Sequence, residues 1–183
     1  IPIISHQCLE SHGLGAEWNQ DVSELTVWAP TQAVPLTANQ RAQNFKLPAT
    51  RVKCITHYMG GGFGSKFAPY SEGFSAADLS RRAGVPVKFM LDREAEISTA
   101  GNRPSAYGTV KIGGNKDGAI TAFAIDCNGT PGYTGGATVN LTLMPYIYRD
   151  AIPNWKLNHT VSFINAGGAR AMRAPAHPQN CVL

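Results

Sequence analysis

The chain has 183 residues, 43% of them hydrophobic, with sixteen basic against twelve acidic side chains and a net charge of +4. That is enough apolar material for one substantial core or two small ones, and the basic residues are scattered rather than massed in a stripe, so nucleic acid is not an expected partner. The longest apolar stretches, such as residues 85–91, break well short of the roughly 18 to 20 residues that cross a bilayer, and no membrane span is expected.

In chain order, Ile1-Pro2-Ile3-Ile4 has no starting Met, basic region or small-residue cleavage site, so no signal peptide is read there. The choice between cytoplasm and periplasm stays open. Residues 13–18 and 25–28 are short β-rich runs separated by Asn19-Gln20-Asp21, the pattern of a hairpin, with Pro30 after the second run. Ala, Gln, Asn and Arg dominate residues 32–45, and Pro35 is tolerable only near a helix start, so one helix is predicted there. Residues 52–57 read as a strand. Residues 71–83 have helix-forming composition with Gly84 as the stop, and a buried strand follows over 87–91. Alternation over 106–112, the turn Asn115-Lys116-Asp117-Gly118 and the apolar run 119–125 make the clearest hairpin. Residues 129–136 are rich in Gly and Pro and read as an irregular loop, and 155–164 as a last strand. The expected fold is α+β, a mixed sheet with two or more helices, in a single domain over 1–183.

Cys8, Cys54, Cys127 and Cys181 are widely separated and form no Cys-x-x-Cys pair, so no zinc site or iron–sulfur cluster is expected within the chain. His6, Cys8 and His12 are irregularly spaced and read as packing or surface groups rather than metal ligands, and His177 reads as a solvated loop residue. Asn128-Gly129-Thr130, Asn140-Leu141-Thr142 and Asn158-His159-Thr160 match the glycosylation acceptor pattern, which short sequences meet by chance.

Three segments carry chemical signals. Tyr58-Met59-Gly60-Gly61-Gly62-Phe63-Gly64-Ser65-Lys66 follows a predicted strand, and its glycines let backbone amides approach a ligand. It fails the dinucleotide fingerprint, because Ser65 stands where the third glycine belongs, and it fails the phosphate-loop pattern, because Phe67 follows Lys66. Ala169-Arg170-Ala171-Met172-Arg173-Ala174-Pro175-Ala176-His177-Pro178-Gln179 sets two arginines before a proline-stiffened loop, suited to gripping phosphate or a polar ring system. In Trp28-Ala29-Pro30-Thr31-Gln32, a Gln at a strand end can present its amide to a ligand.

In this order and spacing the three segments resemble the molybdopterin-binding large subunit of the xanthine dehydrogenase and aldehyde oxidase family, and its bacterial aldehyde- and isoquinoline-oxidising branch most closely. Leu91-Asp92-Arg93-Glu94-Ala95-Glu96, Gly101-Asn102-Arg103-Pro104-Ser105 and Met144-Pro145-Tyr146-Ile147-Tyr148 support the likeness. The resemblance implies that Gly61, Gly62, Phe63 and Gly64 lie against a molybdenum–molybdopterin cofactor, in its plain or cytosine dinucleotide form. Gln32 would face an oxo ligand of the metal, and Arg173 and Ala174 would contact cofactor and substrate pocket. It implies an oxidoreductase acting on an aldehyde or N-heterocycle with water as oxygen source, of which this chain is a fragment. The glutamate that such enzymes use as general base lies near the end of their subunit, and no residue here is assigned a catalytic or metal-ligating role. Implied partners are the remainder of the subunit, an iron–sulfur subunit or domain, and a flavin or haem (cytochrome) partner.

The chain departs from the branch at Ser11, Pro30 and Ala176, where Pro, Ser and Gly are usual. A methyl at Ala176 is expected to oppose a positive φ and shift the loop. Two other readings compete: a non-catalytic cofactor-binding or interaction module of the same fold, and a phosphate- or nucleotide-binding domain built on the glycine loop.

Overall fold

The computed structural model describes residues 1–134, 139, 148 and 150–182. Contacts gather into two compact units, one of residues 6–100 and one of residues 1–5 with 101–183.

The first unit is a four-stranded mixed sheet flanked by helices. Strands β2 (Gly13–Trp18) and β3 (Leu25–Trp28) form the expected antiparallel hairpin, β4 (Val52–Ile55) runs parallel to β3, and β5 (Val87–Met90) pairs antiparallel with β2. The order across the sheet is β4-β3-β2-β5. Helix α1 (Val34–Phe45) has Pro35 in its first turn, where the missing N–H has no intrahelical partner to lose, and packs against β4. Helix α2 (Tyr70–Ala83) packs on β2 and β5 and ends at Gly84, whose φ of 67° is the left-handed cap that the sequence predicts. Leu14, Ala16, Leu25, Val27, Ala42, Val52, Ala76 and Ala77 form the core, edged by Trp18, Phe45 and Phe89. Trp18 meets Phe45 edge-on at 5.1 Å, Phe45 stacks on Phe74 at 5.3 Å, and the indole N–H of Trp18 donates to Ala77 O at 2.8 Å.

A short helix, α3 (Arg93–Thr99), was not among the predicted elements. It is capped by Asp92, whose carboxylate accepts from Ala95 N at 2.8 Å.

In the second unit β1 (Ile4–Ser5) pairs with β6 (Asn102–Arg103). The predicted hairpin is the long pair β7 (Ser105–Gly114) and β8 (Ile120–Thr130), and β9 (Asn154–Val161) lies parallel to β8. Gly118, at φ 90°, closes the hairpin turn by donating to Asn115 O. Ala106, Phe123, Ile125, Cys127, Val139 and Ile152 make a core separate from that of the first unit. Helix α4 (His177–Val182), like β1 and β6, was not among the predicted elements. Residues 129 and 130, expected in a loop, still belong to β8, while residues 135–136, the Asn140-Leu141-Thr142 pattern and most of the 144–148 stretch lie outside the described residues.

No helix among the described residues is long and apolar enough to cross a membrane.

Candidate cofactor site

The glycine-rich segment links β4 to α2 in the first unit. Gly61 and Gly64 have φ of 97° and 104°, conformations that side chains disfavour, and Phe63 sits in the left-handed region at 52° with its ring about half exposed. Gly62 is required for a different reason. A Cβ there would lie 2.6 Å from Gln32 Oε1.

Gln32 is tied to this loop at several points. Its backbone N–H donates to Lys66 O at 2.9 Å, and its side-chain Oε1 accepts from Gly64 N at 2.7 Å and more loosely from Lys66 N at 3.4 Å. Thr31 adds a hydroxyl bond to the same Lys66 carbonyl at 2.9 Å. Because Oε1 is occupied by loop amides, the Nε2 end of Gln32 is the donor left for a ligand.

Lys66 does not reach outward as a phosphate-gripping lysine does. It is buried, and its ammonium donates to Glu10 O at 2.9 Å and Glu10 Oε2 at 3.1 Å, while that same Oε2 accepts from Gly60 N at 2.8 Å. Glu10 and Lys66 therefore hold the base of the loop. This use of the lysine removes the physical ground for the nucleotide-binding reading.

The amides of Gly61, Gly62 and Phe63 donate to no described residue. With Gln32 Nε2 they form a set of neutral donors on a loop of fixed shape, suited to an anionic polar group such as a pterin dithiolene.

Beneath the loop is a group that sequence reading missed. His12 bonds through Nδ1 to Glu96 Oε1 at 2.9 Å and through Nε2 to Ser65 Oγ at 2.7 Å, and Ser65 Oγ donates to Gly62 O at 2.8 Å. Arg93 pairs with the other oxygen of Glu96. Cys8 lies close enough that its ligand atom and those of His12 and Glu96 are all within 4.8 Å of one another. Burial pushes the Cys8 thiol upward and so favours the protonated sulfur, while the Lys66 ammonium acts in the opposite direction. The Ser–His–Glu order matches a nucleophile with its base and orienting acid, but Ser65 is fully buried and its hydroxyl is taken by Gly62. No substrate reaches it. The single sequence clue was Asp92 as a helix cap, which would have put Glu96 on a helix.

In the second unit, Arg173 and Ala174 are exposed, whereas Arg170 is buried with its aliphatic stem against Gly101. Arg103, also buried, donates to the carbonyl of Arg173 through one terminal nitrogen and to Gln179 Oε1 at 3.4 Å through the other. Gln179, fully buried on α4, donates in turn to Pro104 O at 3.1 Å. Burial lowers the Arg103 guanidinium. The methyl of Ala176 does not prevent a positive φ: Ala174 and Ala176 adopt 54° and 64°. That expectation is corrected. The left-handed conformation costs an alanine roughly 1–2 kcal/mol, which the bonds from Arg103 and Gln179 that hold the segment can offset.

All 183 residues match the model of the molybdopterin cofactor-binding domain. The chain belongs to that family, the molybdopterin-binding domain of the xanthine dehydrogenase and aldehyde oxidase group. It is 31% identical over 176 residues to the aldehyde oxidoreductase molybdenum-binding subunit PaoC of Escherichia coli K12, covering 95% of this chain and 23% of that subunit. Against the xanthine dehydrogenase of Oryza sativa subsp. japonica it is 32% identical over 167 residues, 88% of this chain and 12% of the relative. The fold matches quinoline 2-oxidoreductase of Pseudomonas putida 86 with a TM-score of 0.80 at 19% identity, over 95% of this chain and 23% of that one. The chain thus spans less than a quarter of the length of each of these three proteins, and the α+β fold expected from the sequence is the one it shares with the quinoline 2-oxidoreductase structure.

Proposed function

We propose that this chain is one portion of the molybdopterin subunit of a molybdenum hydroxylase and carries a face of its cofactor site. The observation that supports this best is the loop at 61–63, whose amides donate to no described residue while Gln32, Glu10, Ser65 and Lys66 fix its shape. Gly61, Gly62, Phe63 and Gly64 would lie against the cofactor, Gln32 would donate from Nε2 toward its metal end, and Arg173 and Ala174 keep the cofactor and substrate-pocket role that the family resemblance implies. When bound, the molybdenum–pterin group supplies two-electron oxidation of a carbon centre with water as oxygen source. The chain's own part is to hold and orient: rigid backbone donors need no rearrangement when charge develops on the ligand.

The substrate is an aldehyde or N-heterocycle on this reading, the pterin is in the plain or cytosine dinucleotide form, and a glutamate outside this chain acts as base. Electrons leave through an iron–sulfur subunit or domain and then a flavin or haem partner. The rest of the subunit is expected to cover the exposed Tyr58, Met59, Phe63 and Phe67 around the loop.

Elemental mass spectrometry for molybdenum and acid-oxidation fluorescence for pterin, both on the native complex, test the proposal. Near one of each per chain is the expected result. Absence of both from an intact, full-length complex would favour the non-catalytic module instead.

A further inference from the structure

We propose that His12 is a positioning residue: with Glu96 and Ser65 it forms a buried strut that fixes the Gly62 carbonyl and so the ligand-facing amides of the loop. The purpose of the strut rests on the cofactor reading above, but its existence rests on geometry alone.

Ser65 has a single hydroxyl proton, and directing it at Gly62 O, 2.8 Å away, leaves Oγ to accept from His12 Nε2 at 2.7 Å. At the other side of the ring, the carboxylate of Glu96 accepts from Nδ1 at 2.9 Å. A ring that donates from both nitrogens is an imidazolium, and Glu96, itself paired with Arg93, is the anion that balances it. A neutral ring would accept at Nε2, Ser65 would turn toward it, and the Gly62 carbonyl would lose its hydroxyl partner. The backbone N–H of Ser65 donates to the same carbonyl at 2.9 Å in either case, so the charge on His12 decides whether the Ser65 hydroxyl adds a second bond to it. The charged and titratable groups around the ring are Cys8 from the N-terminal segment, Lys66 from the loop, Glu72 from α2, and Glu96 with Arg93 from α3.

The strut also explains why three polar side chains, each at most 4% exposed, persist beside a small apolar core: every described polar atom of the strut has a partner, as a buried network requires. It joins the N-terminal segment, the glycine loop and α3, three parts of the first unit far apart in sequence. A metal ion at Cys8, His12 and Glu96 is the competing occupant. It would displace the hydrogen bond at whichever ring nitrogen it took, Nδ1 to Glu96 or Nε2 to Ser65.

The test uses the full-length complex with Ser65→Ala and Glu96→Gln, read by amide hydrogen exchange of residues 60–64 in cofactor-free protein and by molybdenum and pterin retained per subunit. Ser65→Ala should speed exchange at the loop and lower cofactor retention, each on the order of tenfold, with exchange in β2, β3 and α2 unchanged. Glu96→Gln keeps shape and an acceptor for Nδ1 but removes the counter-charge, so it should give the same loop signature without touching the loop. The double variant should add nothing further, as expected for one pathway. If Ser65→Ala does not fold, Glu96→Gln carries the test unaided. Wild-type exchange and retention in Glu96→Gln would overturn the proposal, because a packing role alone is indifferent to that swap. So would stoichiometric zinc in the wild type that is lost in Cys8→Ser. A wild-type complex without molybdenum or pterin would sink the cofactor reading while leaving the exchange arms decisive for the strut.

Discussion

The two loops proposed to hold the cofactor reach unusual backbone angles by opposite means. The glycine loop uses Gly61 and Gly64 for φ near 100° and leaves only Phe63 strained, whereas the arginine loop puts alanines at 54° and 64° and holds them from beneath with Arg103 and Gln179. Where the residue is free to adopt the angle, polar contacts can serve to aim donors. Where it is not, part of the same kind of contact goes to holding the chain in place.

The comparison can be broken at the glycine loop first. Gly62→Ala drives a methyl into Gln32 Oε1, an overpacking of about 1–3 kcal/mol, and should cut retained molybdenum and pterin by on the order of tenfold or more. Unchanged retention would mean that Gln32 does not set the loop. At the arginine loop, Arg103→Ala leaves the Arg173 carbonyl and Gln179 unmatched and should lower unfolding stability by about 1–3 kcal/mol, measured by denaturant titration of the full-length subunit. Arg173 and Arg170 should then separate. Arg173→Ala, on an exposed side chain, should reduce cofactor retention with a stability change of no more than about 0.5 kcal/mol, whereas Arg170→Ala should act mainly on stability. Ala176→Gly relieves the left-handed alanine and should raise stability by up to about 1 kcal/mol, seen as a higher denaturant midpoint.

The smallest effect concerns pH. Burial lowers the His159 imidazole from its ordinary 6.5, so the unfolded chain binds a proton there before the folded one does. Stability from this group is present above pH 6.5 and lost as pH falls through the folded value. Thermal midpoints at pH 7 and pH 5 should therefore differ less in His159→Gln than in the wild type.

Elements with a strong local signal were legible in the sequence. The β2–β3 and β7–β8 hairpins, α1 with Pro35 in its first turn and α2 with Gly84 at its end all follow from turn chemistry and periodicity. Helices α3 and α4 were hidden because each is short and lies in a segment read as a motif, although Asp92 was a usable cap signal. The glycine loop and Gln32 were legible as candidates. Their supports were not: Glu10, His12 and Glu96 reach the loop only through folding, and no sequence spacing of 50 or 84 residues announces a hydrogen bond. Arg103 and Gln179, 76 positions apart, are hidden for the same reason.

The parallel pairing of β9 with β8 has a consequence for the order of assembly. Strand β8 meets β7 across a tight turn, but it meets β9 only after the whole stretch between Pro131 and Pro153 has been brought round. Closing the hairpin takes microseconds, about 1–10 μs in isolated cases, whereas the wider loop must be closed against its entropy before any contact rewards it. The second unit should therefore nucleate on β7–β8 and recruit β9 late, so during synthesis the outer edge of β8 stays open to other chains until β9 arrives.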